Sequence, residues 1–118
     1  SPVAGLAALA VFPRPDVLEA QLRADLTRYP QSAPLHYTLG NLYAAQKRWN
    51  EAQAAFFEAY RLDPDSPDIA YSLAVSLDHL GQSRPAADFY QRALAAARQQ
   101  GVQFDKGQVS RRLAELKP

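Results

Sequence analysis

Residues 33–66 and 67–100 lie over one another without a gap, and this 34-residue period restricts the possible folds more than any other feature of the chain. Four positions are identical: Tyr37 with Tyr71, Leu39 with Leu73, Ala52 with Ala86, and Ala59 with Ala93. Leu35/Ile69, Gly40/Ala74, Tyr43/Leu77 and Phe56/Tyr90 are conservative pairs. Within the first unit, Leu35, Leu39, Leu42 and Tyr43 form one helical stripe, and Ala52, Ala55, Phe56 and Ala59 form another, so each unit is two helices. "QSAP" and "DSPD" place Ser32 and Ser66 as N-caps with proline in the first turn, where its missing N–H costs nothing. Lys47 with Arg48, and Gly81 with Gln82, stand in the polar breaks inside the pairs. Ser83 can cap the helix after the second break, with Pro85 in its first turn. Connections this short make each pair antiparallel.

The sizes of the repeated residues say how the helices meet. Gly40 or Ala74 in a first helix lets Ala52 or Ala86 of the second approach closely, while Phe56 and Tyr90 fill the gap to the next pair. One pair cannot bury both of its faces, so such units stack and their ends need different sequences. Leu39, Gly40, Tyr43, Ala52, Phe56, Ala59 and Pro64 stand at the spacing of the tetratricopeptide repeat, and Leu73, Ala74, Leu77, Gly81, Ala86, Tyr90 and Ala93 continue it. The chain resembles a tetratricopeptide-repeat protein over residues 33–100. Arg98 stands where the family has its terminal proline, so the last repeat helix is expected to run on through "LAAARQQ" until Gly101 stops it.

Upstream, "PDVLEAQLRADLTRYP" reads as a second helix with Val17, Leu18, Leu22 and Leu26 on one face. "VAGLAAL" resembles a first helix with Gly5 at the small position, one residue out of register, which makes residues 1–32 a divergent or truncated repeat. Downstream, Asp105 is placed as an N-cap with Gln108 three residues on, and Phe104 and Val109 are placed as a hydrophobic staple. Val109, Leu113 and Leu116 make an apolar stripe with Arg111, Arg112 and Glu115 facing away, as a capping helix over residues 101–118 requires. The expected architecture is a single all-α domain, a right-handed superhelical stack of antiparallel helix pairs with about seven helices.

Composition narrows function by exclusion. A chain of 118 residues with 47% apolar content is long enough for one packed core. Without cysteine it has no disulfide, thiolate metal site or cysteine nucleophile, and cytoplasm and periplasm both stay open. The chain begins at serine and holds no methionine, so it is expected to be a fragment or processed product of something longer, which could be membrane-anchored. The apolar run "SPVAGLAALAVF" falls short of the roughly 20 residues of a membrane span and lacks a signal peptide's basic flank. "DPDSPD" has no central glycine for a calcium loop, and His36 and His79 lack further ligands for zinc. No glycine-rich phosphate loop or nucleophile-type serine turn occurs. The expectation is therefore a non-enzymatic chain without cofactor or metal.

What remains is surface. The repeat register lines a concave face with Pro34, Tyr37, Asn41, Ala44 and Ala45 from one unit and Asp68, Tyr71, Val75, Asp78 and His79 from the next. Two tyrosines in one slot of successive repeats, with polar neighbours a turn away, suit an extended or helical peptide of a protein partner. The alternative is that the tyrosines only cover the hairpin seam. The family's carboxylate clamp for chaperone tails is not reproduced, since Asn41 fits but Tyr37 stands at the lysine position and Ser72 at the second asparagine. The alanine-rich texture is similar to that of bacterial tetratricopeptide proteins, including those of pilus-assembly and secretion machines. A different class of function is structural: oligomerisation through the apolar N-terminal edge, at Leu6 and Leu9. The net charge is only +1, yet residues 81–118 carry seven Lys or Arg against three Asp or Glu, and Arg98, Lys106, Arg111 and Arg112 offer a site for an anionic partner. The lack of aromatic interleaving argues against nucleic acid.

Overall fold

The computed structural model describes residues 14–98 and 100–117. They form six helices and no strand: α1 (Pro15–Arg28), α2 (Ala33–Ala45), α3 (Trp49–Leu62), α4 (Pro67–His79), α5 (Ser83–Ala97) and α6 (Lys106–Leu116). The helix expected over "VAGLAAL" and the edge expected at Leu6 and Leu9 lie outside the described residues. Helices α2 and α3 form one tight antiparallel hairpin and α4 and α5 a second, with α3 packed on α4, and α1 and α6 at the two ends. α2 also touches α4, so first helices lie side by side along one face of the stack.

The caps follow the sequence where the signal is local. Ser32 Oγ accepts from Leu35 N at 3.3 Å, Ser66 Oγ from Ile69 N at 3.3 Å, and Asp105 Oδ1 from Gln108 N at 3.0 Å. Ser83 does not cap α5; it is the first helical residue, behind Gln82, which makes no side-chain cap. The reason lies in the preceding turn. Gln82 N donates to Leu77 O and Gly81 N to Asp78 O, the paired bonds of a Schellman motif that already fixes the chain's exit from α4.

The same motif ends α2, with Arg48 N on Tyr43 O and Lys47 N on Ala44 O. Its left-handed residue is Lys47, at φ 58°, where the next repeat has Gly81 at φ 76°. A Cβ in that region costs free energy that glycine avoids. Lys47→Gly is therefore expected to raise stability by about 0.5–1 kcal/mol, read as a higher urea midpoint at unchanged slope. A lowered midpoint would show that the lysine side chain contributes more than the strain removes.

The core is small against large. Ala52, Ala59, Leu73, Ala74, Ala86 and Ala93 are fully buried, and Phe56 is buried among them with the nearly closed Tyr43 and Tyr90. An ideal Cβ on Gly40 would lie 2.5 Å from Phe56 Cδ1 and Cε1, so the glycine exists to admit the ring. In α1, Leu22 is buried and Leu18 and Leu26 are half-buried, but Val17 stands exposed, outside the apolar face assigned to it. α5 ends at Ala97 rather than running on to Gly101. Gln100 Nε2 reaches Asp65 O, and Gln103 N reaches Asp68 Oδ1, so the chain turns back along the start of α4. Those bonds take the place of the last helical residues expected before Gly101.

Candidate functional site: the concave face

Tyr37 and Tyr71 occupy the same slot on α2 and α4, and both are half-buried. Each is backed by aromatic rings. Tyr37 lies 5.8 Å from Phe56 at 51° between planes. Tyr71 is stacked on Phe104 at 4.6 Å and 13°, with Tyr90 6.3 Å away. Phe104 thus brings the segment before α6 onto the tyrosine, a contact that its placement as a staple did not foretell.

The hydroxyls separate two kinds of tyrosine. Tyr43 shares its oxygen with Arg23 and Glu19, Tyr60 accepts from Arg92 at 2.9 Å, and Tyr90 donates to Asp78 at 2.9 Å. Among the described residues, nothing bonds the hydroxyl of Tyr37 or Tyr71. Their rings are held while their polar tips remain available.

Three depressions adjoin along this face. One of about 110 Å³ lies between α2 and α4, where Asn41 and Ala44 face Tyr71, Ser72 and Val75, with Trp49 and Phe56 behind. A second, of about 200 Å³, joins Tyr37 and Asp68 to Tyr71 and Phe104. A third, of about 330 Å³, lies between α4 and α6 and is lined by Tyr71, Val75, Asp78, Gln108 and Arg111. Tyr71 lines all three. The face therefore brings together Tyr37, Asn41, Ala44, Tyr71, Val75 and Asp78. Ala45 and His79 line none of these depressions: both are exposed, and His79 stacks flat on Trp49 at 3.9 Å.

Asp78 is committed to the fold. Arg112 grips it with two bonds of 2.8 and 2.7 Å while also holding Glu115 at 2.8 Å. Arg112 thus does not face away from the stack; it is half-buried and ties α6 to α4. Arg111 does not face away either, since it lines the third depression. Lys106 Nζ donates to Ala97 O, so the basic end is partly absorbed by internal contacts. α6 was legible as a helix because its cap and apolar stripe are local. Its part in the groove was not, because its N-cap Asp105 comes later than the 34-residue period would place it, and no repeat register carries over.

The Arg112 guanidinium holds the Asp78 carboxyl below its usual 3.8, with burial opposing and Tyr90 assisting. A depressed folded value means a contribution that is fully present above the unfolded value and is lost as pH falls through the folded one. The melting temperature of the wild type should therefore fall below about pH 4. Asp78→Asn should lower stability at pH 7 by about 1–2 kcal/mol, since Arg112 is part-exposed and screened. It should also flatten the acid limb. An acid limb identical in the two proteins would place the linkage elsewhere.

The antiparallel hairpins stack so that their first helices form an open, aromatic-centred row. Residues 33–66 match the family model of the tetratricopeptide repeat. Residues 33–66 are thus a tetratricopeptide repeat, and the chain around them has the helical-stack fold of tetratricopeptide-repeat domains. Two solved structures share the architecture. "MamA AMB-1" superposes with a TM-score of 0.71 at 22% identity over 83% of this chain and 50% of that one, so the chain spans half of its length. The Sgt2 TPR domain from Aspergillus fumigatus superposes with a TM-score of 0.63 at 16% identity, over 89% of this chain and 78% of that domain. No curated protein matches the sequence. Among the described residues, no helix is long and apolar enough to cross a membrane.

Proposed function

We infer that the concave face of α2, α4 and α6 binds an extended or helical segment of a protein partner, with Tyr71 as the central anchor and Tyr37 beside it. The observation that supports this reading is the contrast among tyrosines. Those that serve packing have their hydroxyls satisfied inside the fold, whereas these two have supported rings and, among the described residues, unbonded hydroxyls on a furrowed surface. Rigid aromatic rings with one polar end suit backbone recognition at low entropic cost. Asn41 and Ser72 add polar groups beside the rings, and Arg111 favours an acidic residue at the α6 end.

The repeat division at 33, 67 and 101, with residues 1–32 as a divergent repeat, goes with this reading. A place in a bacterial pilus-assembly or secretion machine rests on the alanine-rich texture alone.

Because both rings also support the core, conservative variants are the cleaner test. Against a peptide selected from a random phage-displayed library on the wild-type chain, Tyr37→Phe and Tyr71→Phe should each weaken binding by about 0.5–1.5 kcal/mol without moving the melting temperature. Tyr71→Ala should cost about 2 kcal/mol or more in affinity. Titration calorimetry that finds wild-type affinity in all three folded variants would sink the groove reading. Loss confined to Arg111→Ala, and only at low salt, would favour the basic end.

A further inference from the structure

On the opposite side of the stack, a cleft of about 550 Å³ opens between the second helices α1 and α3, with α2 as its floor. That volume lies within the range of about 300–1,000 Å³ typical of ligand sites. Leu26, Leu39, Ala54 and Ala55 form its apolar lining, and Arg23 and Glu58 stand on its rim. None of its lining residues belongs to the three concave depressions.

The next junction of the same stack shows what this position accommodates. Shifted by the repeat period, Leu26, Ala55 and Glu58 correspond to Tyr60, Phe89 and Arg92. There Phe89 stands edge-on to Tyr60 at 5.0 Å and 89°, and the Arg92 guanidinium lies 5.0 Å over the Phe89 ring while bonding the Tyr60 hydroxyl. A ring and a cation from α5 fill that junction. At the first junction the ring is replaced by a methyl group and the cation by the Glu58 carboxylate, which Arg61 of the same helix pairs on its outer side, so among the described residues the same backbone arrangement stands open with a carboxylate at the place of the cation.

We propose that this convex cleft is a second binding site, taking an aromatic side chain of a partner polypeptide that carries Lys or Arg one helical turn from the ring. The partner supplies from outside the ring and cation that Phe89 and Arg92 supply from within. The aromatic ring gains apolar contact with Leu26 and Ala55, and the cation meets Glu58. Together with the concave face, the site lets one short stack hold two protein segments at once.

The probe is an alanine-rich helical peptide bearing Phe and Arg three residues apart, titrated calorimetrically into the 118-residue chain, with a Phe→Ala peptide as control. Saturable binding of the first peptide and none of the second is expected. Ala55→Phe, which plugs the cleft as Phe89 does in the following repeat, should abolish binding, whereas Tyr71→Phe should leave it unchanged. Should Ala55→Phe not fold, Glu58→Arg serves, reproducing the charge of the next repeat and expected to abolish binding as well. No binding to the wild type, equal binding of the control peptide, or binding retained in a folded Ala55→Phe or Glu58→Arg chain would each overturn the proposal. Loss of binding in Tyr71→Phe would assign the peptide to the concave face and overturn it too.

Discussion

Phe56→Ala is expected to destabilise the chain by about 3–5 kcal/mol, as for a fully enclosed aromatic side chain whose surroundings cannot collapse. Phe56 is 1% exposed. Its ring lies against Gly40 within the hairpin, supports Tyr37 on the concave side and forms part of the wall of the depression between α2 and α4. Removing it takes contacts from two positions of α2 and part of the wall between α2 and α4. The neighbouring Phe57→Ala is the control: that ring is 49% exposed, and its loss should stay within about 0.5 kcal/mol. Urea unfolding followed by circular dichroism compares the two. Equal effects would mean that burial does not govern stability here as described.

Gly40→Leu sets two effects of opposite sign against each other. Leucine favours a helix interior over glycine by up to about 1 kcal/mol. Against that, even the first atom of the new side chain falls 2.5 Å from the Phe56 ring, closer than real side chains come. Overpacking of this kind costs about 1–3 kcal/mol, sometimes more, so the net result is loss of stability. The paired variant Gly40→Ala with Phe56→Leu should be less destabilised than the sum of its single variants, because the smaller residue at position 56 vacates the space that the Cβ enters. A higher melting temperature for Gly40→Leu would mean that the crossing is looser than the structure shows.

The parts of the fold legible in the sequence are those encoded over short spans. Ser32, Ser66 and Asp105 announce helix starts because a side-chain cap needs only the next three residues. The need for a small residue at Gly40 and Ala74 was legible from the period, but its partner was not: the period pointed to Ala52 and sent Phe56 to the next pair, whereas Gly40 faces the Phe56 ring inside its own hairpin. What escaped depends on distant partners. Nothing in "SRRLAEL" says that Arg112 turns inward to Asp78, or that Phe104 lies on Tyr71, since both contacts cross the point where the repeat period breaks. The concave tyrosines were placed by register alone. The register could not say which hydroxyls the fold itself would satisfy, nor that Ala45 and His79 sit outside the depressions. The convex cleft was invisible for a related reason: Ala55 reads as an ordinary small core residue until Phe89 is seen filling the matching position.

The central claim is that a protein segment lies along the first helices, and amide chemical-shift mapping of the isotope-labelled chain with a library-selected peptide tests it most directly. The account predicts the largest shifts at Tyr37, Asn41, Ala44, Tyr71, Ser72 and Val75, extending to Arg111, with α1 and α5 unmoved. Shifts confined to α1, α3 and α5, or to residues before Arg14, would contradict it.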